Sequence, residues 1–426
     1  MALIDTFLSR LIRRGQLTLI RSNGRQTTFG TPSDELQPVT MRFTDNGVIR
    51  HIVRDPSLGA AEMFMAGRLV LEQGDILALL TLAKANNPWE EDDSALDPTL
   101  LRRALSGVVY RLDQFNKARR SRRNVAHHYD LSDRLYDLFL DTDRQYSCAY
   151  FTDPAVSLEQ AQRDKKAHIA AKLALAPGMK LLDIGCGWGG MALYLHEKTG
   201  AEVLGITLSE EQLKVARKRA ADKGVADKVR FELIDYRAIE GQFDRIVSVG
   251  MFEHVGTPHY RTFFRKCREL LKPDGVMLLH TIGRCGGPGV TDDFTAKYIF
   301  PGGYIPALSE IVRVTEKLRF MITDVEVLRL HYAYTLKHWY DRTVAAKAEI
   351  VALYDERFFR MWTYYLAGSY VSFVYGELVN FQIQFARTRR ALPITRDYMQ
   401  TVEQALQDEI APPLTAAAPA SVPVVA

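Results

Sequence analysis

The sequence predicts an α/β protein in which a mostly parallel, doubly wound sheet follows a smaller N-terminal α+β domain. Three observations predict it. Apolar β-like runs at 180–185, 201–207, 229–234, 244–249 and 276–282 alternate with helical patterns near 189–198, 209–223 and 259–271, the rhythm of parallel strands covered on both faces. The first of these runs ends in a glycine-rich turn that opens directly into a helix. Ahead of this region lie an amphipathic helix, short β-like runs and an acidic connector, which set off a first domain.

Taken in order, residues 3 to 14 place Leu3, Ile4, Phe7, Leu8, Leu11 and Ile12 on one helical stripe, with Arg10, Arg13 and Arg14 beside it and Gly15 to end it. Such a stripe can lie on a bilayer, but facing the core of its own domain is the commoner use. Residues 16 to 57 carry short β-like runs with turn signals such as Asp45-Asn46-Gly47, and a helical, Leu-rich stretch runs from Leu69 to Ala85. From Asn86 to Pro98, Asn-Asn-Pro joins five acidic residues, an exposed connection and a domain boundary. The expected division is an accessory domain at 1–98, a basic linker at 99–123, a catalytic domain at 124–410 and a disordered tail at 411–426. Lys117, Arg119, Arg120, Arg122 and Arg123 put five cations in seven residues. They are either a solvated linker or a surface for anionic headgroups, at about 1 kcal/mol per cation.

Composition excludes several function classes. A net charge of only +4 over 426 residues gives no field strong enough to hold nucleic acid, so no nucleic-acid partner is expected. The four cysteines, Cys148, Cys186, Cys267 and Cys285, form no CxxC pair, which fits a reducing cytoplasm rather than a disulfide framework. Asp5 and Arg10 interrupt any signal-peptide core, and no stretch approaches the ~20 apolar residues of a spanning helix. No metal site is expected, because Glu253, His254 and His259 lack the HExxH spacing and the adjacent His127 and His128 cannot easily face one ion.

The cofactor signal is Leu181-Leu182-Asp183-Ile184-Gly185-Cys186-Gly187-Trp188-Gly189-Gly190. Its order is acid, apolar, Gly, x, Gly, x, Gly, which differs from the GxGxxG that seats a dinucleotide pyrophosphate. The pattern resembles the class I methyltransferases, and Leu271-Lys272-Pro273-Asp274-Gly275 resembles the turn before their fifth strand. That resemblance implies a Rossmann-like domain binding S-adenosylmethionine. Where most of the class carry an acid at the end of strand two, this chain has Thr207, and Gln212 is the candidate to share the cofactor's ribose.

Further motifs narrow the resemblance. They are Asn124-Val125-Ala126-His127-His128-Tyr129-Asp130-Leu131, Gln145-Tyr146-Ser147-Cys148-Ala149-Tyr150-Phe151, Thr207-Leu208-Ser209 with Gln212, Gly250-Met251-Phe252-Glu253-His254-Val255-Gly256, and His280-Thr281-Ile282-Gly283. From about 124 to 400 the chain is similar to the cyclopropane-fatty-acyl-phospholipid synthases and the related mycolic acid cyclopropane synthases. The resemblance implies transfer of a methylene group to the cis double bond of an unsaturated phospholipid acyl chain. It also implies a helical insertion that binds that chain, a peripheral site on the cytoplasmic membrane surface and a homodimer. Carried over residue by residue, the cofactor positions are Tyr146, Ser147, Asp183, Gly185, Cys186, Gly187, Gly189, Thr207, Leu208, Ser209, Gln212, Tyr236 and Arg237. The positions matching a bicarbonate base are Cys148, Glu253, His280, Ile282 and Tyr332, the last through Tyr-x-x-Thr-Leu ending in Leu336. Without the resemblance, His280 reads as a satisfied histidine at a strand end. Where the family often has a cysteine, this chain has Ser369, so no thiol nucleophile is expected there.

The residue types suit that chemistry. An alkene has no acidic proton to remove, so the protein must align a methyl with the π bond and shelter a cation from water. Aromatic faces attract such a charge without attacking it, and Tyr354 to Phe385 holds eleven aromatics in 32 residues. A packed core helix pair would give the same density. Three rivals remain open here: a methyl-branched or methylene product, an amine N-methyltransferase, and a lipid-binding module without turnover.

Overall fold

The computed structural model describes residues 3–91 and 131–408, and these fall into two compact units. The basic cluster at 117–123, the motif at 124–130 and the tail at 411–426 lie outside the described residues. The units do not follow the contiguous division expected above: one gathers the described N-terminal residues with 290–301 and 332–378, the other holds 131–289, 302–331 and 379–408.

The first unit begins with α1 (Leu3–Leu11), β1 (Leu17–Ile20), β2 (Gln26–Phe29), β3 (Val39–Phe43), α2 (Gly47–Arg54), α3 (Pro56–Met65), β4 (Leu69–Gln73) and α4 (Ile76–Ala85). The sheet order is β2-β1-β3-β4, with β1 antiparallel to β2 and parallel to β3. Ile4, Leu8, Leu11 and Ile12 of the amphipathic stripe are buried with Leu19, Phe43 and Val48, so the stripe faces its own core. Two expectations are corrected here. Residues 47–54 form a helix rather than β structure, because Val48 and Ile52, four apart, turn to one buried face. The Leu-rich stretch is not one helix: Gly67 and Gly74, both at positive φ, bracket a strand that pairs Leu69 with Phe43, and the helix starts only at Ile76.

The second unit is built on β5 (Lys180–Ile184), β6 (Glu202–Thr207), β7 (Val229–Leu233), β8 (Phe243–Val249), β9 (Leu271–Arg284), β10 (Met321–Leu328) and β11 (Leu378–Ala386), in the order β10-β11-β9-β8-β5-β6-β7. The five expected runs are the parallel strands β5 to β9. Helices α5 (Asp133–Phe139), α6 (Leu158–Leu173), α7 (Gly190–Thr199), α8 (Glu210–Asp222) and α9 (Tyr260–Leu270) belong to the same unit. Successive strand residues feed opposite cores: Ile246, Met277 and Leu279 pack with Phe263 on one face, Val247 and Leu278 with Leu195 and Val203 on the other. That two-sided burial makes these strands read as continuous apolar runs.

The antiparallel pair β10–β11 was not expected. Along β11, Val379, Phe381, Ile383 and Phe385 enter one core, while Asn380, Gln382 and Gln384 alternate with them and are just as buried. The aromatic run is therefore not a helix pair. Its first part is the helix Glu356–Val374 of the first unit, where Arg360 Nε donates to the Met65 carbonyl at 2.9 Å, and its last part is β11. Among the described residues, no helix is long and apolar enough to cross a membrane.

Candidate active site

A cleft enclosing about 1170 Å³ of space outside the protein atoms, part of it open solvent, lies at the carboxyl ends of the parallel strands. Asp183 and Ile184 end β5 and Gly185 to Gly187 follow it, Thr207 ends β6 with Leu208 beyond it, Ile234 to Arg237 follow β7, and Val249 ends β8 with Gly250 and Met251 beyond it. The chain order reverses between β5 and its two neighbours, β6 and β8, and open α/β sheets bind ligands at such a switch point.

The glycine-rich turn shapes the floor. Gly185 has φ +88°, and a Cβ there would meet the Met251 side chain at 2.8 Å, so glycine lets the ends of β5 and β8 close together. Gly189 at φ +84° is different: a Cβ would strike Phe231 of β7 at 2.7 Å, so it seats α7 on the sheet and is absent from the cleft wall. Thr207 Oγ1 donates to Gln212 Oε1 at 2.9 Å, which pairs the two residues expected to share the ribose, and both line the cleft. Ser209 also stands back from the wall, accepting from Gln212 N as the cap of α8. Asp235 grips Arg237 through two hydrogen bonds of 2.8 and 2.6 Å, fixing that guanidinium on the wall.

Two carboxyls stand out by what they lack. Asp183 Oδ2 is buried without a hydrogen-bond partner, and burial pushes its pKa up to about 7. Glu253 lies between the cleft-lining Met251 and His254. Its Oε1 accepts from Ile282 N at 2.6 Å, its Oε2 is buried with no partner, and burial pushes it up to about 7 as well. Glu253 is only half-buried as a residue, yet that oxygen is out of reach of solvent. Orphaned buried acceptors are rare, and each calls for a physical explanation.

The other expected catalytic positions are placed differently. Cys148 is buried, and burial raises its thiol far above the ordinary range, so it offers no thiolate. His280 is fully buried, and both ring nitrogens already face side-chain amides. Tyr332 belongs to the first unit, packed against Trp339 and Phe373, whereas Cys148, Glu253, His280 and Ile282 share the second. Sequence reasoning missed Lys165, a fully buried ammonium that donates to Gln145 Oε1 at 3.0 Å and Ser147 Oγ at 2.9 Å behind the cleft wall. Burial pushes Lys165 down to about 8. It also missed Arg144, Asp235 and His254 on the wall. For Asp235 the signal was present, since an acid at the carboxyl end of a parallel strand is a typical cleft position.

The sequence matches the family described as mycolic acid cyclopropane synthetase over residues 116–383. The chain belongs to this family. It is 38% identical to a cyclopropane-fatty-acyl-phospholipid synthase of Escherichia coli K12, over 82% of this chain and 88% of that one. It is 42% identical to a probable fatty acid methyltransferase of Pseudomonas putida, over 65% of this chain and 73% of that one. A mycolic acid cyclopropane synthase solved in complex with SAH and CTAB superposes with a TM-score of 0.59 at 36% identity, covering 62% of this chain and 97% of that chain. The fold of this family member is thus that of an S-adenosylmethionine-dependent methyltransferase, and the residues present fit that cofactor: the unmet Asp183 oxygen calls for a donor such as an ammonium, and Thr207 with Gln212 offers polar groups to a ribose.

Proposed function

We propose that this protein adds a methylene group from S-adenosylmethionine across the cis double bond of an unsaturated phospholipid acyl chain, closing a cyclopropane ring. Bound in the cleft, the cofactor supplies an electrophilic methyl group. Asp183, Thr207, Gln212, Tyr236 and Arg237, which line the cleft with Tyr146 and Ser147, would hold and orient it.

The observation that carries the proposal is Glu253, a carboxyl with one oxygen fixed by a backbone N–H and the other buried without a partner. Methyl transfer to nitrogen or oxygen never removes a proton from the new methyl group. Ring closure must remove one, so it needs a base beside the transferred carbon. Glu253 at about 7 spends much of its time protonated at neutral pH, and in that form Oε2 donates to an anion instead of repelling it. Bicarbonate is the base we assign there, held by Glu253. The solved relative in complex with CTAB, a detergent with one long alkyl tail, supports a greasy acceptor. The acceptor sits in a bilayer, so the protein works peripherally at the cytoplasmic membrane surface. A homodimer would double its contacts with that surface.

The test is expression in a cell that lacks ring-containing lipids, with mass spectrometry of its acyl chains. The expected product is the substrate mass plus one CH₂. A methyl-branched saturated chain carries two more hydrogens than the ring. Label from the cofactor methyl appearing on nitrogen or oxygen would overturn the proposal.

A further inference from the structure

His280 has no solvent exposure, and each ring nitrogen faces an amide: Nδ1 is 3.1 Å from Gln382 Nε2, and Nε2 is 3.1 Å from Asn380 Nδ2. Burial holds this imidazole neutral, helped by the nearby charges of Lys165 and Lys172. A neutral imidazole has one N–H and one lone pair, so it can accept from only one of the two amides. Lys172 decides which. Its ammonium has only protons to give, so the Gln382 oxygen, 2.8 Å from Nζ, must face it. The Gln382 N–H then points at Nδ1, which accepts, and the ring proton resides on Nε2. Asn380 must then turn its amide oxygen to that proton, a half-turn that keeps the shape of the side chain and gives up the 3.4 Å bond from Nδ2 to the Phe381 carbonyl.

Lys172 is itself fixed. It is fully buried and bonds the Glu326 carboxylate, and that carboxylate also meets His168 Nε2 at 2.6 Å. His168 Nδ1 lies 2.8 Å from Glu403 on the helix Asp397–Gln407. The second hydrogen-bond partner of a histidine sets its tautomer, and for histidines that hold a metal such partners are worth about 10–100-fold.

We infer that Lys172, acting through Gln382, is a positioning residue that fixes His280 as a neutral donor through Nε2. In this state Nδ1 is an occupied acceptor and the one ring proton is given to Asn380, so His280 is held in a single arrangement and the base lies elsewhere. The effect on turnover rests on the proposed function; the tautomer does not.

The experiment uses the full chain labelled with ¹⁵N-histidine, and long-range ¹H–¹⁵N spectra that show which nitrogen of each ring carries the proton. The His280 signal is identified by its loss in His280→Gln. Wild type is expected to carry the proton on Nε2. Gln382→Glu keeps the side-chain size and pairs with Lys172, but its carboxylate accepts from Nδ1–H, so the proton is expected to move to Nδ1. Turnover of unsaturated vesicles should then fall about 10–100-fold with the KM for S-adenosylmethionine unchanged. Three results overturn the inference: a wild-type proton on Nδ1, a proton that stays on Nε2 in Gln382→Glu, or a moved proton with full turnover. The wild-type spectrum alone decides the first, whether or not the variant folds. An Nε2 proton that switches in a protein with no activity on lipid would instead sink the proposed function and leave the tautomer assignment standing.

Discussion

Beside the cofactor cleft, Asp183 and Glu253 each bury a carboxylate oxygen with no partner. Between helix α6 and the strands β9, β10 and β11, by contrast, His168, Glu326, Lys172, Gln382 and His280 are bonded one to the next. Both regions are polar and buried, so burial does not separate them. Satisfaction does. A satisfied network rigidifies a core and holds its members in one arrangement, while an orphaned group bears a desolvation cost that only an incoming partner can relieve. The shifts of their carboxyls follow the same division. Burial carries Asp183 and Glu253 up to about 7, whereas at Glu326 the bonds from His168 and Lys172 overcome burial and bring it down to about 2.

If that contrast is right, a substitution in the cleft should cost function, and loss of a buried counter-charge in the network should cost stability, with function touched there only through His280. The largest expected effect is at Glu253. Glu253→Ala removes both the acceptor of the Ile282 N–H and the donor to the proposed anion, so turnover on unsaturated vesicles should drop about 10²–10⁴-fold. Calorimetric affinity for the cofactor should stay within a few-fold. A variant that keeps wild-type turnover removes Glu253 from the chemistry.

Next in size is Glu326→Gln. It leaves the Lys172 ammonium, almost wholly buried, without its nearest counter-charge, and unfolding in urea should show a loss of about 3 kcal/mol with cofactor affinity unchanged. An unchanged midpoint would place the network among ion pairs that contribute nothing measurable.

The two regions were unequally legible in the sequence. The cleft could be read because its signals are local: Asp183, Gly185 and Gly187 lie within five residues, and Thr207 finds Gln212 five residues on. The network could not, because its links are long. Gln382 is 102 residues from His280 and 210 from Lys172. Asn380, Gln382 and Gln384 alternate with apolar residues, the pattern of a strand with one wet face, yet all three are buried because Lys172 and His280 supply the partners that water would otherwise provide. The density of aromatics just before them favoured a helix pair and hid β11. In the N-terminal part, Leu69–Gln73 reads as helix by composition and becomes a strand only because β3 lies beside it.

The smallest expected effect tests the orphaned side of the contrast through pH. The folded pKa of Asp183, about 7, is raised by burial above its ordinary 3.8. The native state therefore holds a proton that the unfolded chain has released, and the stability linked to it is full below about pH 4 and lost as pH rises through about 7. Asp183→Asn has the same shape and no charge to desolvate, so at pH 8 the ligand-free variant should be more stable than wild type, by on the order of 2 kcal/mol, with the difference vanishing near pH 4. Bound cofactor should reverse the ranking at pH 8, because an ionised Asp183 beside a cationic donor gains what Asn cannot. Denaturant unfolding at the two pH values, with and without S-adenosylhomocysteine, checks both halves. A ligand-free variant no more stable than wild type at pH 8 would mean that Asp183 already has its partner in the protein, and the cleft would then obey the same rule as the network.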